Sequence, residues 1–248
     1  VHPDVFKNGQ VEAVYVIHAR QFADRATHVS SELKKFQIPF EFIESHDPDM
    51  ISSETRSRYM APGYRFSTGK FSCSLKHFEA LRRIAAGGYR QALVLEDDVI
   101  LDRNFTVELS KILEEARTLA LPHTIQIGSG GNMFVPQRRL QPGKRLYETD
   151  QVRANEAYLI GAETARLRLD WLDRNQLHLS TDHTFNLIDR EMGIRCYWSE
   201  PAIVVQGSMN GLFHSSLDAH RKTSPLWYLK LRFGRQRLWR KYISRLFR

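Results

Sequence analysis

The sequence has only two cysteines, Cys73 and Cys196, in 248 residues. Two cysteines give no disulfide framework, and their separation gives no paired zinc spacing. A reducing cytoplasm is the simpler expectation. No apolar run approaches the roughly 20 residues of a transmembrane helix. The opening residues Val1-His2-Pro3-Asp4-Val5 lack the basic start and apolar core of a secretory leader. No glycine-rich stretch carries the Lys-Ser/Thr of a P-loop or the spacing of a dinucleotide fingerprint. Acidic residues are missing from one region: residues 219–248 hold ten Lys or Arg and no Asp or Glu. The other 26 basic and 28 acidic residues leave the body at −2, although the whole chain is +8. The basicity belongs to a tail, which argues against a globally basic nucleic-acid binder.

What is present is ordinary for a globular protein, with 42% hydrophobic and 26% charged residues. We expect one domain over residues 1–220 and a basic tail over 221–248. Apolar runs predict strands at 11–17, 38–43, 124–127, 157–160, 195–198 and 202–205. Helical spacing predicts helices over 23–36, 71–86, 105–119, 164–172 and 181–192, with Gly87-Gly88 ending the second. Residues 47–69 read as a long irregular loop and 136–150 as a surface hairpin or loop. Gly128-Ser129-Gly130-Gly131-Asn132 reads as a mobile substrate loop. The alternation of strand and helix up to about residue 120 predicts an α/β fold with a largely parallel sheet.

The chain is organised around Ala92-Leu93-Val94-Leu95-Glu96-Asp97-Asp98-Val99-Ile100-Leu101. The apolar run has strand length and no helical period, so it reads as a buried strand. Three carboxylates at its end are costly unless something neutralises them. A divalent cation with hard oxygen ligands is the usual neutraliser. Ligands of open α/β sheets bind outside the carboxyl ends of the strands, where these acids are expected. The alternative is an acidic helix start capped by Asp97 or Asp98.

Several separated pieces together resemble glycosyltransferase family 25. They are Tyr15-Val16-Ile17 with Asp24-Arg25, Cys73-Ser74-Leu75-Lys76-His77, the Glu96-Asp97-Asp98 strand, Ala157 to Ile160, Asp182, Pro201 with Gln206, and Ser215-Ser216-Leu217. The ordered set spans roughly residues 11–220. The sequence departs from the family pattern at His18-Ala19, where Asn-Leu is usual, at Lys76, where Ser is usual, and at Lys70, where Glu is frequent. The resemblance implies a GT-A fold, Rossmann-like, with a mostly parallel sheet flanked by helices. It also implies an inverting transfer from a nucleotide-sugar.

On this reading the donor is a UDP-sugar, most simply UDP-galactose, and Mn²⁺ or Mg²⁺ stabilises the departing diphosphate. Strand alternation puts Glu96 and Asp98 on one side and Asp97 on the other. Asp98 is the expected direct metal ligand, and Glu96 and Asp97 hold metal-bound water or the ribose. Gln206 or His214 supplies a further contact to the ion or diphosphate. Asp182 is the expected catalytic base, with Thr181-Asp182 as a helix-capping pair the alternative. Arg20 and Arg25 are expected on the uracil-ribose or phosphate side, with a surface helix position the alternative for Arg25. His77 reads first as a buried structural histidine and second as a donor-pocket contact.

The tail has Ser224 as N-cap and Pro225 at the first helical position. Leu231, Leu238, Tyr242 and Leu246 fall on one side, with Trp227, Trp239, Ile243 and Phe247 beside them. Such a basic amphipathic C-terminal helix reads as an anchor on an anionic membrane surface. Packing of its apolar face on the body is the alternative. The combined expectation is a cytoplasmic enzyme peripheral to the inner face of a membrane, acting on a lipid-linked glycan. The rivals are a metal-dependent phosphoesterase, and a membrane-binding module with a degenerate site.

Overall fold

The computed structural model describes residues 5–215, 217 and 223–244. Ser216 of the expected Ser-rich turn lies outside them, as do Arg245, Leu246, Phe247 and Arg248 of the expected tail helix.

The main sheet has seven strands in the order β2-β1-β3-β7-β5-β8-β6. They are β1 (Ala13–Ile17), β2 (Glu41–Ile43), β3 (Ala92–Glu96), β5 (His123–Gln126), β6 (Leu146–Thr149), β7 (Ala157–Ile160) and β8 (Arg195–Ser199). Strands β1, β2, β3, β5 and β8 run one way, and β7 and β6 run against them. The sheet is therefore mixed, with its largest block parallel, as in a Rossmann-like GT-A fold. Strand β4 (Val99–Leu101) leaves this sheet and pairs antiparallel with β9 (Val204–Gln206).

Alternation along the strands builds a core on each face. Val94 and Tyr158 project into one core, packed by α3 (Thr68–Gly87), α5 (Ala162–Arg174) and α6 (Thr181–Glu191) through Phe78, Leu172 and Phe185. Leu93, Leu95 and Leu159 project into the other, packed by α1 (Ala23–Lys35) and α4 (Phe105–Ala116) through Leu33 and Leu109. Truncating a side chain as enclosed as Phe78 to Ala costs about 3–5 kcal/mol. Helix α3 starts where the Ser67 hydroxyl accepts from the Lys70 amide at 3.3 Å. It stops at Gly88, whose φ of 65° suits a residue without Cβ.

Several expectations need correction. The long loop contains α2 (Ser53–Tyr59), which has no buried residue and so left no apolar period. The expected surface hairpin or loop 136–150 contains edge strand β6, which pairs with the distant β8. The strand through the three acids is broken. It ends at Glu96, turns at Asp97-Asp98 and restarts as β4 in the second sheet. Alternation of the acids about a single strand therefore fails.

The glycine-rich loop is packed rather than open. Gly130 has φ 54°, its amide donates to Glu156 Oε1 at 2.6 Å, and a Cβ there would strike the Arg153 carbonyl. After β9 come α7 (Gly207–Asn210) and the tail helix α8 (Leu226–Leu238), which continues as a wider turn over Trp239–Ile243. Leu229 and Phe233 of α8 are buried. Its approach is close enough that a Cβ on Gly211 would meet the Leu226 carbonyl. The helix runs unbroken through Gly234. Among the described residues no helix is long and apolar enough to cross a membrane.

Candidate active site

The carboxyl ends of β1 and β3, the start of α6 and the β9–α7 junction surround a cavity of about 300 Å³. Its lining includes Arg25, Glu96, Asp97, Asp98, Asp182 and Gln206. Among the described residues, Arg25, Lys70 and Lys76 are its lysines and arginines, and Glu156 adds a fifth acid.

The turn at Asp97-Asp98 gives each acid a separate environment. Asp97 has both oxygens engaged: Oδ2 by His18 Nδ1 at 2.8 Å and Oδ1 by Arg25 Nη1 at 3.1 Å. Asp98 Oδ2 accepts from the Ser208 amide at 2.9 Å and lies 3.9 Å from Arg25 Nη1. Its Oδ1 is buried and has no hydrogen-bond partner among the described residues. Burial pushes the Asp98 pKa up, opposed by the guanidinium of Arg25. Glu96 Oε2 accepts from Gln206 Nε2 at 2.7 Å. Burial, then repulsion from Asp98, Asp182 and Asp97, raises the Glu96 pKa to about 8. An acid oxygen enclosed without a donor is the environment a divalent cation relieves. Asp98 therefore fits a hard metal ion, with Glu96 as its neighbour.

Arg25 comes from the first turn of α1 and is held from several sides. Its guanidinium lies 5.0 Å from the Phe22 ring centre and 5.5 Å from that of Phe213. Nη2 donates to the His214 carbonyl at 2.7 Å. Burial lowers its pKa, but Asp98 and Asp97 outweigh that and hold it above its usual value. Burial by a cation-binding clamp of this kind reflects tertiary pairing across 72 positions, for which the sequence has no local signal.

Asp182 lies in the first turn of α6, where a carboxylate gains from the helix dipole. The capping alternative does not describe it. The N-cap residue is Ser180, the Thr181 hydroxyl meets Ser74 Oγ at 2.8 Å, and Asp182 Oδ1 accepts from Asn155 Nδ2 at 2.8 Å. Burial raises the Asp182 pKa, opposed first by His77. A raised carboxylate is the better proton acceptor near neutral pH.

Other expected residues lie elsewhere. Arg20 is half-exposed, pairs with Glu44 at 3.6 Å and is not part of the lining. His77 is fully buried, with Nδ1 3.2 Å from the Tyr158 hydroxyl. Burial lowers its pKa to about 4, so the imidazole is neutral. His214 meets the site through its backbone carbonyl on Arg25. Sequence reasoning missed Asn155, Glu156 and Ser208, and it met His18 and Lys76 only as departures from the family pattern. Glu156 and Asn155 directly precede the buried strand β7, the same placement at a strand end that exposed the first acids.

Residues 11–132 match the model described as glycosyltransferase family 25 (LPS biosynthesis protein). This stretch resembles glycosyltransferase family 25. A Haemophilus influenzae protein whose name places it among the glycosyltransferases is 24% identical over 90% of this chain and 84% of its own. Mouse procollagen galactosyltransferase 2 is 24% identical over 62% of this chain. Human inactive glycosyltransferase 25 family member 3 is 25% identical over 42% of it. The chain spans only 27% and 19% of those two mammalian family 25 proteins. The family 25 match covers β1 through the glycine-rich loop, and so includes Arg25 and the three acids but not Asp182 or Gln206.

Proposed function

We propose that the chain is an inverting hexosyltransferase that moves galactose from UDP-galactose to a glycan acceptor carried on a lipid. The carrying observation is one cavity that holds both the partnerless oxygen of Asp98 and the buried carboxylate of Asp182. The name of the procollagen relative supports galactose, and the family description supports a lipopolysaccharide-type acceptor.

Asp98, with Glu96 beside it, would hold Mn²⁺ or Mg²⁺, which would supply positive charge to offset that of the departing diphosphate. Arg25 faces the phosphate or ribose side and keeps Asp97 ionised. Asn155 fixes one oxygen of Asp182. The carboxylate of Asp182 takes the proton of the acceptor hydroxyl as that oxygen attacks the anomeric carbon. The bond from that carbon to the diphosphate breaks, and UDP leaves with the electron pair. A single displacement of this kind inverts the anomeric centre.

The tail supports action at a membrane surface on the cytoplasmic side. Trp227 is 70% exposed, and Leu231, Trp239 and Tyr242 are exposed on a segment that also carries exposed Lys230, Arg232 and Arg235. Exposed aromatics and cations on one segment suit an anionic lipid interface.

A second reading is a family member that binds without transfer. Arg25 already offsets Asp97 and approaches Asp98, and one relative is named inactive. Release of UDP from a panel of UDP-sugars, with and without Mn²⁺, separates the readings. Metal-dependent release from UDP-galactose above the other donors is expected. No release from any donor, with or without metal, would establish the second reading.

A further inference from the structure

The cavity wall carries another set of ligand atoms, of which the proposed transfer uses only Glu96. Cys73 and His77 stand one turn apart on α3, so they share a helix face. Glu96 ends β3 opposite them. The Cys73 sulfur, an imidazole nitrogen of His77 and a Glu96 oxygen all lie within 4.8 Å of one another. His77 Nε2 is 3.8 Å from Glu96 Oε1. That nitrogen is buried and has no hydrogen-bond partner among the described residues, in a side chain with no exposed surface. A buried polar atom left unpaired costs about 1–3 kcal/mol. The other ring nitrogen is engaged by the Tyr158 hydroxyl, which fixes the ring as outer partners of metal-bound histidines do.

We propose that Cys73, His77 and Glu96 form a binding site for a borderline-soft divalent cation of the zinc class. Bonds of about 2.0–2.3 Å to one tetrahedral centre place ligand atoms roughly 3.3–3.8 Å apart. The observed cluster reaches that spacing by small side-chain rotations. Sulfur with imidazole selects zinc-like ions, whereas Mg²⁺ and Ca²⁺ want oxygen. Cys73 and Glu96 line the cavity, so the fourth position of the ion opens toward it. Such a three-ligand arrangement is that of an exchangeable site rather than a closed structural one. On binding, the Cys73 thiol releases its proton to solvent and the neutral imidazole contributes its lone pair. Glu96 Oε2 remains with Gln206. The site differs from the hard-ion position at Asp98 in its donor atoms, and it does not rest on the transfer reading.

The test uses the full chain freed of metal and titrated with Co²⁺ as an optical stand-in. One equivalent is expected to give a thiolate-to-cobalt absorption band, which Zn²⁺ abolishes and excess Mg²⁺ does not. Cys73→Ser is expected to lose the band and Cys196→Ser to keep it. Tyr158→Phe, which retains the ring, is expected to weaken binding about 10–100-fold. If Cys73→Ser does not fold, alkylation of the parent supplies the answer, because Zn²⁺ is expected to slow modification of Cys73 at least tenfold. No thiolate band in the parent, a band that survives Cys73→Ser, or alkylation indifferent to Zn²⁺ would each overturn the site. These readouts need no donor or acceptor, so failure of the UDP-sugar panel leaves them unaffected.

Discussion

The ammonium of Lys76 donates to the backbone carbonyl of His18 at 2.7 Å. Both positions depart from the usual family 25 pattern, and the structure joins them. Lys76 also pairs with Asp47 at 2.7 Å, while the His18 ring meets Asp97. The departures thus form one buried chain of contacts leading to the acids at the end of β3.

Removing one member of a buried ion pair leaves the other charge uncompensated. Lys76→Met is therefore expected to destabilise the fold by about 3–5 kcal/mol. Adding Asp47→Asn is expected to recover much of the loss. Urea denaturation of the single and double variants checks this. A loss under about 1 kcal/mol in the single variant would show that water or rearrangement compensates Asp47.

Asp98→Asn preserves shape and removes the charge proposed to hold the cation. Transfer is expected to fall at least about a hundredfold, on the scale of losing one major electrostatic contact. Folding is expected to persist, since relief of crowding among Glu96, Asp97 and Asp98 offsets the changed bond to Ser208. Steady-state rates with Mn²⁺ test the assignment, and near-normal transfer by the variant would sink it.

Asp182→Asn is expected to abolish transfer while leaving UDP affinity nearly unchanged, because a base acts on the acceptor. Asn155→Ala frees the same carboxylate and is expected to lower kcat and shift its pH profile. Rates and UDP titrations are the measurements. Equal loss of UDP affinity in Asp182→Asn would assign the residue to donor binding instead.

Glu156 gives a stability prediction with a defined pH window. Burial raises its pKa from 4.5 to about 8. The unfolded chain ionises near the lower value, whereas the fold resists ionisation until the higher one. The neutral acid's stability is thus present below about pH 4.5 and lost as pH rises toward 8. Glu156→Gln removes this slope and is expected to melt a few degrees above the parent at pH 8, but not at pH 5. Parallel melting curves against pH would contradict it.

The tail is expected to carry the protein onto vesicles rich in anionic lipid. Salt weakens that binding through screening over about 8–10 Å, and the exposed Trp227 and Trp239 sustain a remainder. Truncation before Ser224 is expected to abolish sedimentation with the vesicles. It also exposes the surface that Leu229 and Phe233 cover, so a lower melting temperature is expected as well. Unchanged vesicle binding after truncation would exclude the anchor.

Much of the architecture was legible because apolar runs and helical spacing are local. Strand β7 was found at its observed bounds, and α3 was found with its glycine stop. Its direction was not legible, since Ala157-Tyr158-Leu159-Ile160 carries no mark of antiparallel pairing. Strand β6 escaped because Leu146-Tyr147-Glu148-Thr149 is short and half polar. The acids announced a site through their cost at a strand end. Arg25 and Gln206 were reached only through the family resemblance and Ser208 not at all, since they meet the acids across 72 to 110 positions.

That reach bears on how the chain can be divided. The Gly207 amide binds the Asp98 carbonyl, the Ser208 amide binds its carboxylate, and Gln206 holds Glu96. The family 25 match ends at residue 132, well before these three. The matched stretch is therefore no portable cassette. Grafted alone, it brings the acids without the amides that orient them. A chimera that splits the chain anywhere between must carry residues 96–98 and 206–208 from the same parent, because the two triplets form one inherited unit.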